Sequence, residues 1–336
     1  MITLAQIGAG AWGQNLLRTF SSISGCQIKI CCEIREEIRE TIHKNYRHQI
    51  QVTDNTEEVI QDPTIDAVVI ATLPIMHASL AIRALEAGKH VFVEKPLALS
   101  IQEGEEMVRA AQKAGKILMV GHLLLYHPAI KKLKAYIQEG ILGNIYYIYS
   151  TRVNLGKIRE EENALWSLTA HDISVAMYLL EQMPIEVAAT GNAYLRKNIH
   201  DVVFVTLNFN NNIMCHIHAS WLDPHKIREF TVVGSKKMIV FDDMNSSEKL
   251  RLYDKGVDVQ KDTGTYETFL TVRQADIYIP KIDMIEPLKL ECQHFLDCIK
   301  KGQEPQSNGK NGLDCLKVLT AAQESLMSNG IPIPIL

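Results

Sequence analysis

The feature that most constrains the fold is a glycine-rich segment, Gly8-x-Gly10-x-x-Gly13, between an apolar segment and a helical pattern. In such a turn the first glycine permits a tight bend, the second lets a phosphate approach the backbone, and the third lets the helix lie close to the strand. The helix start, with Ala11 and Trp12, offers free N–H groups and a positive dipole end to the phosphates. Glycines also occur in ordinary turns, but this strand–turn–helix context predicts a dinucleotide site.

The second apolar segment ends in an acidic residue, Glu33, twenty positions after Gly13. A carboxylate at this position accepts hydrogen bonds from the ribose hydroxyls and repels a 2′-phosphate, which favours NAD over NADP. Arg35 leaves the alternative open, because a guanidinium in this loop can hold a 2′-phosphate or stack on adenine. We therefore predict NAD as the cofactor, with Glu33 and Arg35 in its site.

The order of the apolar segments predicts two domains. Strands alternate with helices up to residue 121, which predicts an α/β fold, a doubly wound parallel sheet forming an NAD-binding Rossmann domain over residues 1–121. Segments such as 145–153, 202–210 and 213–221 then predict strands. Residues 122–336 are predicted to be an α+β domain for substrate binding and oligomerisation, with a large, mostly antiparallel sheet. One face of that sheet needs a cover, so we expect a homodimer or homotetramer through it. The polar segment 246–278 is expected to be irregular, as an exposed excursion of the sheet.

Composition excludes several partners. The net charge of −4 gives no indication of nucleic acid or an anionic membrane as partner. No apolar run approaches the roughly 20 residues of a membrane helix, and no signal peptide is expected at the N-terminus. The seven cysteines contain no C-x-x-C pair, which is typical of reduced thiols in a cytoplasmic protein. His216 and His218 have metal-ligand spacing, but no third ligand accompanies them, so no metal is predicted.

Polar residues follow several strands of the predicted parallel sheet, and ligands of such sheets bind outside the carboxyl ends of the strands. The candidate residues at this edge are Thr72, Pro74, His77, Glu94, Lys95 and His122.

Four elements of the chain resemble the glucose-fructose oxidoreductase / inositol dehydrogenase (Gfo/Idh/MocA) family. They are the glycine-rich start, A-T-x-P-x-x-H at residues 71–77, E-K-P at 94–96 and G-H-x-x-x-x-x-P at 121–128. The resemblance covers nearly the whole chain, and it implies that Lys95 lies beside the nicotinamide and the reacting sugar hydroxyl. An ammonium beside a cationic ring has a lowered pKa and can relay the hydroxyl proton. The alternative is that Lys95 is a solvated surface lysine.

A second catalytic candidate, His171, comes from the family's D-x-G-x-H element. The resemblance implies that this histidine acts as acid/base, but Ser167 and Thr169 stand at the aspartate and glycine positions, so the usual carboxylate is absent. An imidazole suits proton abstraction near neutral pH. The alternative is that His171 caps or packs at a helix start. We expect Lys95 and His171 to act on the same hydroxyl.

The segment between residues 151 and 166 contains basic and polar side chains suited to an anionic, hydroxyl-rich ligand. For Lys157 and Arg159, a charge-balanced surface beside residues 160–162 is the alternative. The runs R-V-N-L-G-K-I-R, E-E-N-A-L-W and H-D-I-S resemble the branch that acts on UDP-linked N-acetylamino sugars, most closely the UDP-N-acetylglucosamine 3-dehydrogenases. The predicted substrate site consists of Lys95, His122, Arg152, Asn154, Lys157, Arg159, Trp166, Ser167 and His171.

The predicted function is NAD-dependent oxidation of a ring hydroxyl of a UDP-N-acetylamino sugar. The resemblance implies the C3 hydroxyl of UDP-N-acetylglucosamine, a 3-keto product for a sugar aminotransferase, and a place in lipid A or polysaccharide biosynthesis. An NADP-dependent keto-sugar reductase and a non-catalytic dinucleotide sensor are the alternatives. A sensor needs neither Lys95 nor His171, and both are present.

Overall fold

The computed structural model describes residues 1–46, 49–156, 158–160, 162–261 and 268–335. The Cα positions divide the chain into two compact units, Met1–Tyr126 with Ile285–Lys317, and His127–Met284 with Val318–Leu336. Residues 285–317 thus join the first unit although they lie between the two segments of the second unit in the sequence. The domain limits 1–121 and 122–336 stay a prediction. Within the described ranges, every helix is too short or too polar to span a bilayer.

The first unit is built on a six-stranded sheet in the order β3-β2-β1-β4-β5-β6, with every neighbouring pair parallel. Its strands are β1 Ile2–Ile7, β2 Cys26–Cys32, β3 Gln51–Thr53, β4 Ala67–Ile70, β5 His90–Glu94 and β6 Leu118–Gly121. Its connecting helices are α1 Ala11–Ser22, α2 Glu36–Asn45, α3 Thr56–Ile60, α4 His77–Glu86 and α5 Ile101–Ala114. The predicted doubly wound parallel sheet is confirmed.

Burial explains why this sheet forms. All four residues of β4 are buried, as expected for a parallel strand covered on both faces. A cluster of three aromatic rings joins α1, β5 and a later helix of the same unit: Phe20 meets Phe92 edge-to-face at 6.0 Å, and Phe92 meets Phe295 at 5.7 Å. The cluster explains why residues 285–317 belong to the first unit.

Local signals fix the ends of α5. The Ser100 side chain accepts a hydrogen bond from the Glu103 N–H, and the Glu103 carboxylate accepts one from the Ser100 N–H. This reciprocal pair satisfies two N–H groups at the start of the helix. At the other end Gly115 has a φ of +61°, the left-handed conformation that commonly ends a helix.

The second unit contains a nine-stranded sheet in the order β14-β13-β12-β11-β7-β10-β9-β8-β15, antiparallel except between β7 and β10. The strands are β7 Ile145–Val153, β8 Glu186–Asn192, β9 Val202–Asn208, β10 Met214–Ser220, β11 Ile227–Gly234, β12 Met238–Asp242, β13 Leu250–Lys261, β14 Thr268–Tyr278 and β15 Ile333–Pro334. The remaining α-helices among the described residues are α6 Pro128–Gln138, α7 Ala170–Leu180, α8 Pro287–Lys301 and α9 Gly309–Met327. The prediction of a large, mostly antiparallel sheet is confirmed.

The expectation that residues 246–278 are irregular is wrong, whereas the expectation that they extend the sheet is confirmed for the described residues. Most of this segment forms β13 and β14, which pair antiparallel along their length, with Val257 opposite Val272. Both of these valines are exposed. The strands were not predicted because many residues of this segment are polar or charged, whereas the usual signal of a half-buried strand is an alternation of apolar and polar residues.

Candidate active site

The carboxyl edge of the parallel sheet collects most of the residues predicted to hold the cofactor. Strands β1, β4, β5 and β6 lie side by side, so the segments that follow them meet at one edge. The residues at that edge are Gly8, Thr72, Pro74, Glu94, Lys95 and His122.

The glycine-rich turn has the shape of a phosphate cradle. Gly8 has a φ of +91°, and a Cβ on it would lie 2.5 Å from the Ala71 carbonyl oxygen. A Cβ on Gly13 would lie 2.5 Å from the Gly8 carbonyl oxygen, so a side chain is sterically excluded at both positions. At Gly10 the nearest described atom would be Nη2 of Arg35, at 3.6 Å. The backbone at Gly10 is therefore open, as a pyrophosphate requires.

A buried residue that the sequence analysis missed, Gln6, braces this turn. Its side-chain amide donates hydrogen bonds to the carbonyl oxygens of Gly8, at 2.9 Å, and Gly13, at 2.7 Å. Gln6 is fully buried in β1. A long polar side chain in a mostly apolar strand, directly before the glycine-rich turn, was the signal that could have identified it.

The Glu33 carboxylate lies beside the turn and stays ionised. It accepts a hydrogen bond from the Ala9 N–H at 2.9 Å, and the Arg35 guanidinium binds both its oxygens, Nε to Oε1 at 2.9 Å and Nη2 to Oε2 at 3.0 Å. Burial alone would raise the pKa of Glu33, but the hydrogen bonds from Arg35 and Ala9 lower it to about 2. The structure thus provides the predicted carboxylate, already paired with the predicted arginine.

Glu94, at the end of β5, is held in place by the glycine-rich turn. The Trp12 indole N–H donates to Oε1 of Glu94 at 2.5 Å, and the Lys95 backbone N–H donates to Oε2 at 3.2 Å. The carboxyl group lies against Gly121, where a Cβ would come within 2.9 Å of it. Burial raises the pKa of Glu94 to about 7, against the lowering effect of the Trp12 hydrogen bond. Glu94 therefore changes charge near neutral pH.

Two buried histidines accompany Lys95. Both ring nitrogens of His77 lie within hydrogen-bond distance of a backbone carbonyl oxygen. Nδ1 lies 2.8 Å from the Pro96 oxygen, and Nε2 lies 3.3 Å from the Thr72 oxygen. Burial lowers the pKa of His77, and the Lys95 ammonium lowers it further. A neutral ring donates to only one of the two oxygens. His77 therefore links the segment after β4 to the E-K-P turn.

His122 offers hydrogen-bonding capacity at the same edge. It is 2% exposed, and neither ring nitrogen has a hydrogen-bond partner among the described residues. Burial, followed by the charge of Lys95, lowers its pKa to about 4, so the ring is neutral near pH 7. A neutral imidazole presents one donor and one acceptor. Both groups suit a polar ligand beside Lys95.

In the second unit, His171 lies in the first turn of α7. A single π-helical turn, Leu165–Thr169, leads into this helix and contains the buried Ser167. π-Helical turns are rare in proteins, and those that occur are often found at functional sites. Asp172, the next residue, is 1% exposed and accepts hydrogen bonds from Arg152 Nε at 2.6 Å, Arg152 Nη2 at 3.1 Å and Ser150 Oγ at 2.7 Å. Two guanidinium nitrogens of Arg152 are therefore engaged inside the protein.

The remaining predicted substrate residues of the second unit differ in their surroundings. The Trp166 indole N–H donates to Oε1 of Gln323 at 3.1 Å, and the Asn163 side chain donates to the same oxygen. Arg159 approaches Glu162 at 3.5 Å. Asn154 donates its N–H to a backbone oxygen of β10. Lys157 lies outside the described residues.

No group of three His, Cys, Asp or Glu side chains in the described ranges could hold a metal ion. The roles assigned to individual site residues stay predictions.

Comparison with known proteins decides the family. Residues 2–122 match the profile of the Gfo/Idh/MocA oxidoreductases that describes an NAD-binding Rossmann fold. Residues 130–240 match the profile of the C-terminal domain of the same family. The chain belongs to the Gfo/Idh/MocA family. The family resemblance read from the sequence is therefore confirmed.

Several known proteins are similar to this chain over nearly its whole length. Myo-inositol 2-dehydrogenase of Thermotoga maritima is 27% identical over 338 residues, which cover 95% of this chain and 95% of the relative. The structure of levoglucosan dehydrogenase with NADH and levoglucosan is 21% identical, with a TM-score of 0.84, and covers 99% of both chains. The structure of UDP-N-acetylglucosamine 3-dehydrogenase GnnA of Acidithiobacillus ferrooxidans is 22% identical, with a TM-score of 0.80, and covers 97% of this chain and 98% of that one. At these identities the two structures show that the fold is shared.

The cradle and the family agree on the cofactor and the class of reaction. This Gfo/Idh/MocA protein binds NAD, and it is an NAD-dependent dehydrogenase. The open backbone at Gly10 and the ionised Glu33 fit the phosphates and the ribose of that cofactor.

Proposed function

We propose that the enzyme oxidises a ring hydroxyl of a UDP-N-acetylamino sugar, the C3 hydroxyl of UDP-N-acetylglucosamine. One observation supports the proposal that the enzyme oxidises an alcohol. Lys95, the neutral and buried His122, and Glu94 lie together at the cofactor edge of the sheet. A cation and a neutral imidazole at this edge can hold a hydroxyl group through hydrogen bonds.

Bound NAD supplies the acceptor for the hydride that leaves the alcohol carbon. Lys95 binds the hydroxyl oxygen and relays its proton, and His171 accepts that proton as a general base. His122 contacts the same sugar and stays uncharged, so it does not oppose the positive nicotinamide. The glycine turn and Glu33 hold the pyrophosphate and the adenosine ribose.

Two features support a nucleotide sugar as substrate. The segment from Arg152 to Trp166 resembles the branch that acts on UDP-linked N-acetylamino sugars, and GnnA, a member of that branch, shares the fold. We propose that Asn154, Arg159 and Trp166 contribute to the substrate site, together with Ser167. The 3-keto product would be consumed by a sugar aminotransferase, in the synthesis of lipid A or of a polysaccharide.

The test is a panel of alcohols with NAD, followed by NADH absorbance. The panel contains UDP-N-acetylglucosamine, UDP-glucose, myo-inositol and levoglucosan, with an aminotransferase or another ketone trap because alcohol oxidation is uphill near neutral pH. We expect NADH with UDP-N-acetylglucosamine above all. Preferential turnover of myo-inositol or levoglucosan would refute the nucleotide-sugar assignment and leave the dehydrogenase class intact.

Two variants test the catalytic residues. Lys95→Ala and His171→Ala should each lower kcat by roughly 100-fold or more, while NADH binding by fluorescence titration stays at the wild-type level. Wild-type turnover by either variant would remove that residue from the mechanism. NADP-dependent reduction of a keto sugar remains the alternative, and it predicts faster turnover with NADPH in the reverse direction.

We also propose that the sheet of the second unit joins two copies of the chain. On its outer face Tyr147, Tyr149, Phe204 and Met214 are each at least 40% exposed, and Met214 lies opposite Tyr147 across the β7–β10 pair. An aromatic patch of this kind is typical of subunit interfaces. Sedimentation velocity should show a dimer or tetramer, and a monomer at micromolar concentration would refute the proposal. A cytoplasmic location stays a prediction.

A further inference from the structure

We infer that Arg152 and Asp172 are positioning residues: their buried ion pair, with Ser150, fixes the first turn of α7 and so orients the His171 imidazole. The inference rests on the proposed role of His171. It also gives Arg152 a task other than binding substrate.

The ion pair anchors a helix to the middle of a sheet. Arg152 and Ser150 lie on β7, which has β11 on one side and β10 on the other, and β7 is the fifth of nine strands in the sheet. Arg152 donates to Asp172 from Nε at 2.6 Å and from Nη2 at 3.1 Å, and Ser150 Oγ lies 2.7 Å from Oδ1 of Asp172. A central strand is a rigid support, since hydrogen bonds hold both its edges.

Burial makes this contact specific. Asp172 is 1% exposed and Arg152 is 8% exposed, so neither charge is compensated by bulk water. Each therefore depends on the other, and the paired geometry of the guanidinium and the carboxylate restricts their relative orientation. The first turn of α7 cannot rotate or slide without separating two buried charges.

His171 gains its orientation from this anchor because the chain before it is irregular. The π-helical turn Leu165–Thr169 directly precedes α7, so the backbone just before His171 departs from regular α-helical hydrogen bonding. Neighbouring side chains on a helix point about 100° apart. With Asp172 held against the sheet, the direction of the His171 side chain is fixed as well.

The test replaces the ion pair by apolar side chains of similar size, in the double variant Arg152→Met with Asp172→Leu. Such replacements of buried ion pairs often leave a protein as stable as before, whereas removal of one partner destabilises it. We expect the double variant to melt like the wild type and to bind NADH normally. Its kcat should fall roughly 10- to 100-fold, because a small misplacement of a catalytic group has effects of this size.

A cycle with His171→Ala distinguishes positioning from substrate binding. If Arg152 and Asp172 act through His171, their replacement in a His171→Ala background should lower kcat no further. If Arg152 binds substrate directly, the losses should multiply and KM should rise. Lys134→Met is the matched control: Lys134 donates to the Leu179 carbonyl at 3.0 Å, at the other end of α7, so its loss should affect stability and leave kcat unchanged.

A stable double variant with wild-type kcat would overturn the inference. If the double variant does not fold, Ser150→Ala is the alternative test, because it keeps the ion pair and removes one hydrogen bond to Asp172. A kcat lowered several-fold in Ser150→Ala supports the inference, and an unchanged kcat overturns it. His171→Ala separates this result from a failure of the proposed function. Full activity of that variant refutes the role of His171 itself, whereas an inactive His171→Ala beside a fully active double variant refutes only the anchor.

Discussion

Replacement of Glu33 by glutamine should weaken the preference for NADH over NADPH. Glutamine has nearly the same shape and can still accept the hydrogen bond from the Ala9 N–H, so the change removes one unit of negative charge beside the predicted ribose site. At roughly 5 Å and an effective dielectric constant of about 20, one unit charge changes the interaction with a phosphate by about 3 kcal/mol. That energy corresponds to roughly 100-fold in binding.

Two features of the structure adjust this value. Glu33 is paired with Arg35, and its replacement releases a guanidinium that can then attract the 2′-phosphate. The Arg35 side chain is half-exposed, so water screens part of this effect. We therefore expect the ratio of dissociation constants, NADPH to NADH, to fall roughly 10- to 100-fold.

Fluorescence titration of NADH and NADPH measures this ratio without any sugar substrate. Glu36→Gln is the matched control, because this exposed carboxylate lies three residues away at the start of α2. The control should keep the wild-type ratio. A ratio in Glu33→Gln within about twofold of the wild type would mean that Glu33 does not face the adenosine ribose.

Three further predictions concern the glycine turn and Glu94. Gly13→Ala places a Cβ 2.5 Å from the Gly8 carbonyl oxygen. We expect the free energy of unfolding, measured in urea, to fall by about 2 kcal/mol, and we expect NADH binding to be lost. Wild-type values for both would contradict the interpretation of this turn as a phosphate cradle. Gln6→Leu leaves two turn carbonyls without their donor, which should cost about 2 kcal/mol and weaken NADH binding; unchanged binding would show that the turn holds its shape without Gln6. Burial raises the folded-state pKa of Glu94 from 4.5 to about 7, so the folded protein binds a proton at this carboxyl group more tightly than the unfolded chain does. The free energy of unfolding therefore falls as the pH rises from 4.5 to about 7. Glu94→Gln should make that slope shallower without abolishing it, because burial also raises the pKa of Glu291; an unchanged slope would exclude Glu94 as a source.

The parallel sheet was predictable because its signals are local. The apolar run of β4, the glycines after β1 and the acidic end of β2 each lie within one short segment. A parallel sheet then brings the ends of its strands to one edge, so Glu94, Lys95 and His122 could be assigned to the same edge from the strand order alone. The structure confirms this edge, while the roles of these side chains stay predictions.

Contacts between distant segments were not predictable. Phe295 lies between the two segments of the second unit in the sequence but joins the aromatic cluster of Phe20 and Phe92, because the sequence pattern of a helix shows its apolar face without showing what covers it. The partner of Arg152 was missed for a similar reason. A basic residue beside polar neighbours indicates an anion, and the anion in the described structure is Asp172 of the same unit.

Glu33 presents a related question about how its carboxylate can bind a ribose. An ionised carboxylate has about four acceptor positions. In this structure four donors lie within hydrogen-bond distance of it: the Ala9 N–H, the Arg35 N–H, and the Nε and Nη2 of Arg35. The ribose hydroxyls must therefore displace at least one guanidinium contact, and NAD binding competes with the Glu33–Arg35 ion pair.

Arg35→Met tests this competition. It keeps an unbranched side chain and removes the guanidinium, so two acceptor positions of Glu33 become available to the ribose. If displacement of the guanidinium opposes binding, NADH affinity should rise by about 1 kcal/mol, roughly fivefold. A lower NADH affinity would also be informative. Nη2 of Arg35 lies 3.6 Å from the position that a Cβ of Gly10 would take, which is where a phosphate would approach. A fall in NADH affinity would show that Arg35 contacts the cofactor directly, and the competition argument would then be wrong.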